Sequence, residues 1–477
     1  MGYLSLPVLI GLIVVSVDSV RNIPSLAIFG NQLPIFFLIA IFLFLLPVAF
    51  VSAELSAAFS QHRDNGVYHW VKQAYGNDTG MFAIWSQWIN SLIWFPANLL
   101  FITSTFFTLF FPNMNAHKPL VITLMIAIFW LITWVNLKGI KESARIAFIC
   151  MFLGVLLPLI TLVISAVLWL THGFPSHFTL NNHLTFSSAS HSLSALTVII
   201  TSFLGVEISS VHINRVANPK RTFTIAMLIA AVIIVAIMFI GSISMAMMIP
   251  ANKLSLYDGL AETFREIFNQ FNIAYLTPAI LGMVVLGSIG ALISWTISPA
   301  IGMSQAARNG YMPKALGKLN RKDVPANILY IQAGVISILC LCIGLFDNMN
   351  DFYWYLISLS TAIYLLMYMV MFLSGIKLRR KNRIPATLVK SNCLFYAISL
   401  IGLFGVIGTF VVGFIPSSQV LSSISLTDYI VRFTSGIIII SLCYFGFVIY
   451  RNRNKQAGCD KKPRCGQKTK TGKSIAL

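Results

Sequence analysis

A glycine and a carboxylate lie two residues apart within one long apolar stretch of the sequence. The stretch runs from Leu193 to Ile213 and carries Gly205 and Glu207 near its middle. An ionisable side chain at the centre of a bilayer costs about 2.5–3.5 kcal/mol even on lenient insertion scales, so it is usually there for function. Glycine lets a helix open, and opened backbone at that depth is tolerated only around a cavity or inside protein. The stretch therefore predicts either a broken helix at a transport site or a packing glycine beside a structural glutamate.

The composition indicates a membrane protein. Of the 477 residues, 57% are hydrophobic and 10% are charged, whereas an average globular chain is about a quarter charged. Apolar blocks long enough to cross a bilayer recur along the whole length. We predict an all-α polytopic membrane protein with about twelve transmembrane helices, at Leu4–Phe29, Leu33–Phe59, Met81–Phe111, Leu120–Leu137, Ile146–Leu170, Leu193–Ile213, Phe223–Ile249, Ile273–Ala307, Ala326–Phe346, Tyr353–Ile376, Leu394–Ile415 and Tyr429–Tyr450.

The net charge of +19 comes from basic residues in alternate loops. The loops after the second, fourth, sixth, eighth and tenth blocks, together with the tail, contain 28 of the 33 lysines and arginines. Lysine and arginine mark the cytoplasmic side of membrane proteins. We therefore expect both termini in the cytoplasm, and we expect no nucleic-acid partner.

The first and sixth blocks resemble each other in their polar residues. Asp18 and Arg21 lie in the middle of the first, as Gly205 and Glu207 do in the sixth. A repeat of five helices is odd-numbered, so its second copy must enter the membrane from the opposite face, as in inverted-repeat transporters with discontinuous helices. We predict a five-plus-five inverted repeat with discontinuous first and sixth helices, in which residues 1–170 and 171–390 form the repeats, 391–450 two additional C-terminal helices, and 451–477 a basic cytoplasmic tail.

Four groups of short motifs follow one another along the chain. They are AELS at 53–56 with GVYHW at 66–70, SFLGVE at 202–207 with NPKR at 218–221, GSIG at 287–290, and AARNGYMP at 306–313. In this order they resemble the amino acid–polyamine–organocation transporters. Within that superfamily GVE at 205–207, HIN at 212–214, IP at 249–250 and IY at 363–364 look most like the bacterial glutamate/γ-aminobutyrate antiporters. The resemblance covers nearly the whole chain.

The resemblance implies an amino acid bound against the opened backbones of the first and sixth helices. Half-helix N-termini offer N–H groups to a carboxylate, and half-helix C-termini offer carbonyls to an ammonium. We expect no cofactor, and the histidines, which fall mostly in loops, predict no metal cluster. The sequence has no HExxH motif that would favour a membrane enzyme, and isolated carboxylates on two broken helices form no charge ring of a channel.

Several positions depart from the glutamate antiporters. Ala291 stands where their eighth helix has a glutamate, and Arg21 replaces a tyrosine of their first helix. Two tyrosines of the tenth helix persist as Tyr364 and Tyr368. Arginine transporters of the superfamily stack substrate on aromatic residues at positions that match Thr201 and Leu292, and neither is aromatic here. The C-terminal plug of the glutamate antiporters is not recognisable in Lys455–Leu477.

Two polar residues of the first block and one of the second allow more than one role. Asp18 and Arg21 could neutralise each other as a pair one turn apart, or Arg21 could meet a substrate carboxylate while Asp18 meets an ammonium or a proton. Glu54 lies near the cytoplasmic end of the second block, which favours a structural cap. Polar residues of the third block could line the cavity or join helices. The candidate substrate-binding residues are Asp18, Ser19, Arg21, Gln87, Asn90, Ser91, Thr201, Phe203, Leu204, Gly205, Ala291, Leu292, Tyr364 and Tyr368, and Glu207 is the candidate proton-coupling or gating residue.

These observations predict a secondary transporter, an antiporter or proton-coupled permease, in the inner membrane. One cation more and one carboxylate fewer in the cavity favour an acidic or neutral amino acid as substrate. If Asp18 pairs with Arg21, that preference disappears, and the alternative is a cationic amino acid or polyamine exchanger of the same fold. The partners we expect are the small-molecule substrate and the lipid bilayer, with a homodimer as an open alternative.

Overall fold

Helices form almost all of the regular structure in the part of the chain described. The structure is a computed structural model that describes residues 4–17, 20–62, 64–111, 117–178, 189–216, 218–250, 254, 259–345, 349–384, 388–415 and 425–460. Within these ranges the one isolated β-bridge joins Leu4 to Val216, where the Leu4 N–H donates to the Arg215 carbonyl at 2.7 Å.

Eleven helices in the described ranges are long and apolar enough to cross a membrane. The ninth predicted block, Ala326–Phe346, corresponds to the 17-residue helix Ala326–Cys342, which continues as the 3₁₀ turn Ile343–Leu345. These helices confirm the prediction of a polytopic all-α protein, whereas the inverted relation of the two repeats stays a prediction. We number the spans 1 to 12 in chain order: Leu6–Ala27, Gly30–Ala58, Asn77–Phe110, Lys118–Leu137, Ile140–Thr171, Leu196–Arg215, Pro219–Met248, Ala274–Arg308, Ala326–Cys342, Tyr355–Arg380, Asn392–Val412 and Leu426–Gly446.

Shorter elements complete the described chain. The amphipathic stretch after span 2 is the helix Val67–Tyr75, and a further surface helix, Gly259–Gln270, precedes span 8. The helices of spans 6, 10 and 12 extend beyond the apolar windows, to Ala189–Ser202, Met349–Arg380 and Leu426–Asp460.

Span 6 is broken at the predicted glycine. The α-helix Ala189–Ser202 ends three residues before Gly205, and the chain continues after Gly205 as the 3₁₀ helix Val206–Arg215. Gly205 has a φ of +104°, a conformation that residues with a side chain rarely adopt. A Cβ built on it would lie 2.7 Å from the Trp295 ring and 3.0 Å from the Ser16 carbonyl oxygen. Glycine is therefore required here for both conformation and space.

Span 1 consists of two helical pieces. The α-helix Leu6–Val17 is followed by the 3₁₀ turn Val20–Asn22 and the short helix Ile23–Ala27, which has Pro24 in its first turn. The predicted break at Asp18 and Ser19 lies outside the described residues.

Two other spans contain a wide π-helical turn just before a proline. The turns are Ile41–Leu45 in span 2, ahead of Pro47, and Phe152–Leu156 in span 5, ahead of Pro158. Proline lacks an N–H and its ring crowds the carbonyl four residues earlier, which belongs here to Leu43 and Gly154.

Each of these two carbonyls faces a glycine of a neighbouring helix. A Cβ built on Gly405 would lie 2.4 Å from the Leu43 oxygen, and one built on Gly287 would lie 2.6 Å from the Gly154 oxygen. Only glycine lets the helices approach this closely, and Cα–H groups can then face carbonyls that have lost their helical donor. The contacts join span 2 to span 11 and span 5 to span 8.

Spans 1, 3, 6, 8 and 10 surround the centre of the molecule. Span 8 packs against spans 1, 3, 4 and 5, while span 10 packs against spans 3 and 11. Both pieces of span 1 contact span 7, and Leu6–Val17 also packs against Val206–Arg215. The two interrupted helices therefore lie side by side.

The end of the bundle that carries the basic loops is closed by polar contacts. Arg308 at the end of span 8 pairs with Asp64 at 2.8 Å, and the Lys72 ammonium donates to Asn309 at 2.6 Å. Beside them the rings of Phe59, His62 and His69 lie with centroids 5.0 to 5.4 Å apart. We call these three rings the histidine cluster.

Candidate functional site

A cavity of about 200 Å³ lies between the broken helices. Its wall combines hydroxyl, amide and aromatic side chains with aliphatic ones, as is typical of sites for small molecules. The lining side chains come from span 1 (Ser16, Arg21, Asn22, Ser25), span 3 (Asn90, Trp94), span 6 (Thr197, Thr201, Leu204), span 8 (Ala291, Trp295) and span 10 (Ser358, Thr361, Tyr364), with a further wall from spans 11 and 12.

Arg21 is the charged residue among the described residues that line the cavity. It is 7% exposed, and its guanidinium carbon lies 5.7 Å from the centre of the Phe101 ring. A guanidinium presents a planar fork of N–H donors that matches a carboxylate. In a largely buried cavity this group attracts anions and repels cations.

Trp295 forms an aromatic wall of the cavity and caps the first helical piece of span 1, Leu6–Val17. Its indole N–H donates to the Ser16 carbonyl at 2.7 Å. That carbonyl belongs to the last turn of Leu6–Val17, where a helix has acceptors without helical donors. The Trp295 ring also lies 5.4 Å from Trp94 and 5.4 Å from Tyr364, centre to centre.

Glu207 lies behind the cavity wall formed by Tyr364, in a cluster of neutral hydrogen-bond donors. Its side chain is 0% exposed. The Tyr364 and Tyr368 hydroxyls donate to its two carboxylate oxygens, and the Gln87 amide donates to one of them at 3.0 Å. Tyr364 also lines the cavity, so it connects the carboxylate to the space where a ligand would bind.

Tyr368 joins the carboxylate to the break in span 6. Its hydroxyl accepts the Gly205 N–H at 2.9 Å and donates to Glu207. One of the amides freed by the helix break is therefore tied to the same cluster. Because Tyr368 contacts both groups, a change in the protonation of Glu207 would alter the hydrogen bonding of the Gly205 amide in the opened backbone.

The candidate residues fall into four groups by position. Those that line the cavity are Arg21, Asn90, Thr201, Leu204, Ala291 and Tyr364. Gln87, Gly205 and Tyr368 reach it only through the hydrogen bonds around Glu207. Asp18 and Ser19 lie outside the described residues.

Three candidates lie away from the cavity wall. Ser91 is buried and its hydroxyl donates to the Trp88 carbonyl at 2.6 Å. The Phe203 ring packs edge-on against Phe37, with centroids 5.6 Å apart. Leu292 is buried in the hydrophobic core. Their apolar or helix-internal contacts explain why these side chains do not reach a ligand.

Trp295 is the residue that sequence reasoning missed. The aromatic position of span 8 was matched to Leu292, and the structure places the aromatic wall at Trp295, three residues later. A shift of three residues keeps almost the same helical face, so the motif around Gly290 could not fix the register. The aromatic side chain itself, beside Ser294 and Thr296 in an apolar span, was the available signal.

Glu54 does not line the cavity and instead joins the end of span 2 to the end of span 10 and the segment that precedes span 11. Its carboxylate pairs with Arg379 at 3.0 Å and accepts the Leu388 N–H at 2.7 Å. Arg379 also donates to the Val389 carbonyl at 2.6 Å and to Asn392 at 2.7 Å. These contacts support the structural role expected of Glu54.

Comparison with known proteins agrees with this architecture. A family model described as amino acid permease matches residues 4–450. An uncharacterised transporter of Legionella pneumophila is 33% identical over 414 residues, which cover 85% of this chain and 88% of the relative.

Two relatives with named substrates are more distant. A glutamate/γ-aminobutyrate antiporter of Lactococcus lactis is 27% identical over 92% of this chain and 88% of its own length. A cadaverine/lysine antiporter of Escherichia coli is 26% identical over 72% of this chain and 77% of its own length. The relatives thus include antiporters of an acidic and of a basic amino acid.

Proposed function

The chain belongs to the amino acid permease family, and from that premise we propose that it exchanges an acidic or neutral amino acid across the inner membrane by alternating access. It is a multi-pass transporter and not an enzyme, because its family and its relatives are transporters. The substrate preference is the part that needs an argument from the site.

Arg21 carries that argument. It is buried in the cavity wall, and the wall also contains Ala291 of span 8, at the position where the glutamate antiporters that the sequence resembles have a glutamate. At about 4 Å and an effective dielectric constant near 20, the repulsion between Arg21 and a second cation is about 4 kcal/mol. A substrate with a carboxylate is favoured by the same interaction.

We assign proton coupling to Glu207. Its partners among the described residues are neutral hydroxyl and amide groups, so a proton can enter or leave without breaking an ion pair. Tyr364 provides the route between Glu207 and the cavity, because it lines one and donates to the other.

A cationic amino acid or diamine is the second candidate substrate. The ring pair of Trp94 and Trp295, with centroids 5.4 Å apart, borders the cavity, and aromatic faces bind cations. The relation to a cadaverine/lysine antiporter points the same way. This observation also removes one argument against cations, since span 8 does carry an aromatic residue at the cavity.

Substrate counterflow separates the two candidates. Purified protein in liposomes loaded with glutamate, γ-aminobutyrate, lysine, arginine or agmatine should exchange labelled glutamate or a neutral amino acid, and the cationic compounds should not compete. The matched variant Arg21→Gln should lose the preference for carboxylates. Efficient exchange of lysine or agmatine together with no exchange of glutamate would refute the assignment to Arg21.

The orientation in the membrane remains part of the proposal. From the alternating basic loops we infer that both termini face the cytoplasm. We infer the two repeats from the polar residues Asp18 and Arg21 in span 1, which match Gly205 and Glu207 at the break in span 6. Reporter fusions at Asn181 and Ser417 should read periplasmic, and one at Lys381 cytoplasmic. A cytoplasmic signal at Asn181 would overturn this topology.

The oligomeric state is a separate question. We keep the homodimer as the alternative to a monomer, and the mass of the detergent-solubilised protein distinguishes the two.

A further inference from the structure

The second piece of span 6 carries two buried serines on different faces. This piece is the 3₁₀ helix Val206–Arg215. A 3₁₀ helix has three residues per turn, so side chains at i and i+3 lie one above the other. Ser210 therefore follows Glu207 on the same face, about 6 Å closer to the basic loops, because each residue rises by about 2 Å. Ser209 instead shares its face with His212, which is hydrogen-bonded to span 8 at 3.1 Å.

The hydroxyls of both serines are buried without a hydrogen-bond partner among the described residues. Each side chain is 1% exposed, and a buried polar group without a partner is costly. Other buried serines, such as Ser374 and Ser399, avoid this cost by donating to the carbonyl four residues earlier. A hydroxyl can donate and accept at the same time. Ser210, one turn from a carboxylate, is therefore suited to hold a water molecule beside Glu207.

A short loop segment closes the space next to Ser210. Gly66 has a φ of +98°, and a Cβ built on it would lie 2.7 Å from Val211 and 3.4 Å from the Ser210 oxygen. Glycine thus lets the loop backbone lie directly against the 3₁₀ helix. Asn65 is 1% exposed, whereas the side chain of the preceding Asp64 is 22% exposed. We call Asn65 and Gly66 the loop seal, because these two residues separate the exposed Asp64 from Ser210.

Asn65 holds the loop seal in place. Its side-chain oxygen accepts the N–H of the next residue and the indole N–H of Trp70, each at 2.7 Å. Its side-chain amide donates to the Ser56 carbonyl of span 2 at 3.2 Å, and its own carbonyl accepts the Gln305 amide of span 8 at 3.1 Å. The helix that follows packs against spans 3 and 10, which supply the hydrogen bonds to Glu207. The loop seal therefore joins span 2 to span 8 on the basic-loop side of this carboxylate.

We propose that Glu207 exchanges its proton with the cytoplasm beside Ser210 when the loop seal withdraws. The proposal rests on the function proposed above, because it concerns the proton assigned to Glu207. Two O–H···O hydrogen bonds of about 2.8 Å each, end to end, match the spacing of about 6 Å, so one water molecule from the cytoplasm bridges the two side chains. The carboxylic acid gives its proton to this water and becomes a carboxylate, and the hydronium ion passes to the cytoplasm. Uptake is the reverse, and Ser210 is a positioning residue for the water.

Other titratable or charged groups at this end are engaged elsewhere. Asp64 pairs with Arg308, and Lys72 donates to Asn309. The His69 ring packs in the histidine cluster, and His212 faces span 8. Glu207 and Ser210 are neighbours on one helical face, so the route passes none of these groups before it reaches the loop seal.

The test compares Ser210→Ala with Ser209→Ala. Each variant removes one buried hydroxyl from the same helix, so their effects on folding should match. In liposomes that contain a pH-sensitive dye, gradients of glutamate, γ-aminobutyrate or lysine drive transport. Ser210→Ala should slow the accompanying proton movement by about tenfold, the rate equivalent of one hydrogen bond, while the KM for substrate stays within about twofold. Ser209→Ala should change neither.

Thiol labelling tests the loop seal separately. In inside-out vesicles, Ser210→Cys should react with a membrane-impermeant thiol reagent during transport, faster than without substrate and above the labelling of the unmodified protein. Labelling only from the periplasmic face, or none, would overturn the proposal, as would equal proton movement in the two alanine variants. If the unmodified protein exchanges substrate without moving protons, the coupling assigned to Glu207 and this route are both wrong, while the exchange function stands.

Discussion

Two glutamates in the described part of the chain are completely buried, and their surroundings are opposite. Glu54 faces the guanidinium of Arg379 at 3.0 Å and a backbone N–H. Glu207 receives hydrogen bonds from Tyr364, Tyr368 and Gln87, all of them neutral. Both side chains are 0% exposed, so burial alone does not tell which one takes part in transport.

The difference lies in what a proton would do at each place. Protonation of Glu54 would leave a buried guanidinium without its counter-charge, which is strongly unfavourable. Protonation of Glu207 changes the charge of a cluster that contains hydroxyl and amide groups able to reorient. The first arrangement fixes helix ends, and the second can alternate between two states within a transport cycle.

The largest effect on stability should come from breaking the ion pair. Arg379→Ala leaves a buried carboxylate, which costs about 3–5 kcal/mol of stability. Thermal unfolding of the detergent-purified protein should show a large fall in Tm. The double variant Glu54→Met with Arg379→Met should recover much of it. A Tm for Arg379→Ala equal to that of the unmodified protein would show that the Glu54–Arg379 ion pair does not contribute to stability.

Glu207→Ala should affect transport more than stability, and the variant should remain inserted and folded. We expect exchange to fall by about a hundredfold or more, equivalent to about 2.7 kcal/mol of barrier, because the variant removes the acceptor for both tyrosines. Glu207→Gln should retain partial activity if hydrogen bonding matters more than protonation. Counterflow and Tm are measured on the same preparations. Unchanged exchange in both variants would exclude Glu207 from the transport cycle.

The two tyrosines should differ from each other by a smaller amount. Each loses one hydrogen bond to a carboxylate when changed to phenylalanine, which is worth about 1.5–3 kcal/mol. Tyr368→Phe also frees the Gly205 amide, so its exchange rate should fall further than that of Tyr364→Phe. In contrast, Tyr364→Phe should change the KM more, since that residue lines the cavity. The opposite ranking of the two KM values would contradict the placement of Tyr364 at the ligand.

The smallest effect should come from the histidine cluster outside the spans. Burial lowers the pKa of His69 from 6.5 to about 4, with a further lowering by His62 and Lys72 that Asp64 opposes. Between pH 6.5 and 4 the unfolded chain binds a proton that the folded chain does not, so stability falls as the pH falls through this range. The Tm of His69→Gln should therefore depend less on pH than that of the unmodified protein. His172→Gln, at an exposed histidine, serves as the control.

Much of the fold could be predicted from the sequence, because apolar length is a local signal. The break at Gly205 was predictable for the same reason, since a glycine beside a buried carboxylate lies within one short motif. The pairing of Glu54 with Arg379 was not, because the partners are 325 residues apart and nothing near either one identifies the other.

The candidate site could be predicted only in part. Arg21, Asn90 and Tyr364 stand out as polar residues in apolar spans, and they line the cavity. Phe433, which lines the cavity from span 12, could not be recognised, because Val431 and Ile439 of the same span are as apolar as Phe433 and the sequence does not distinguish a buried ring from an exposed aliphatic residue. Trp295 was missed because the sequence did not fix the register of span 8, and the aromatic position was assigned to Leu292, three residues earlier.

Register has a further consequence in span 2. A regular helix turns by about 100° for each residue, and the wide turn Ile41–Leu45 accommodates one residue more than a regular turn does. Every side chain after it is therefore rotated relative to an uninterrupted helix. Glu54 lies beyond this turn, so its aim towards Arg379 depends on one residue of extra backbone. Deleting a single residue there would point the carboxylate at a different neighbour without changing any side chain around it.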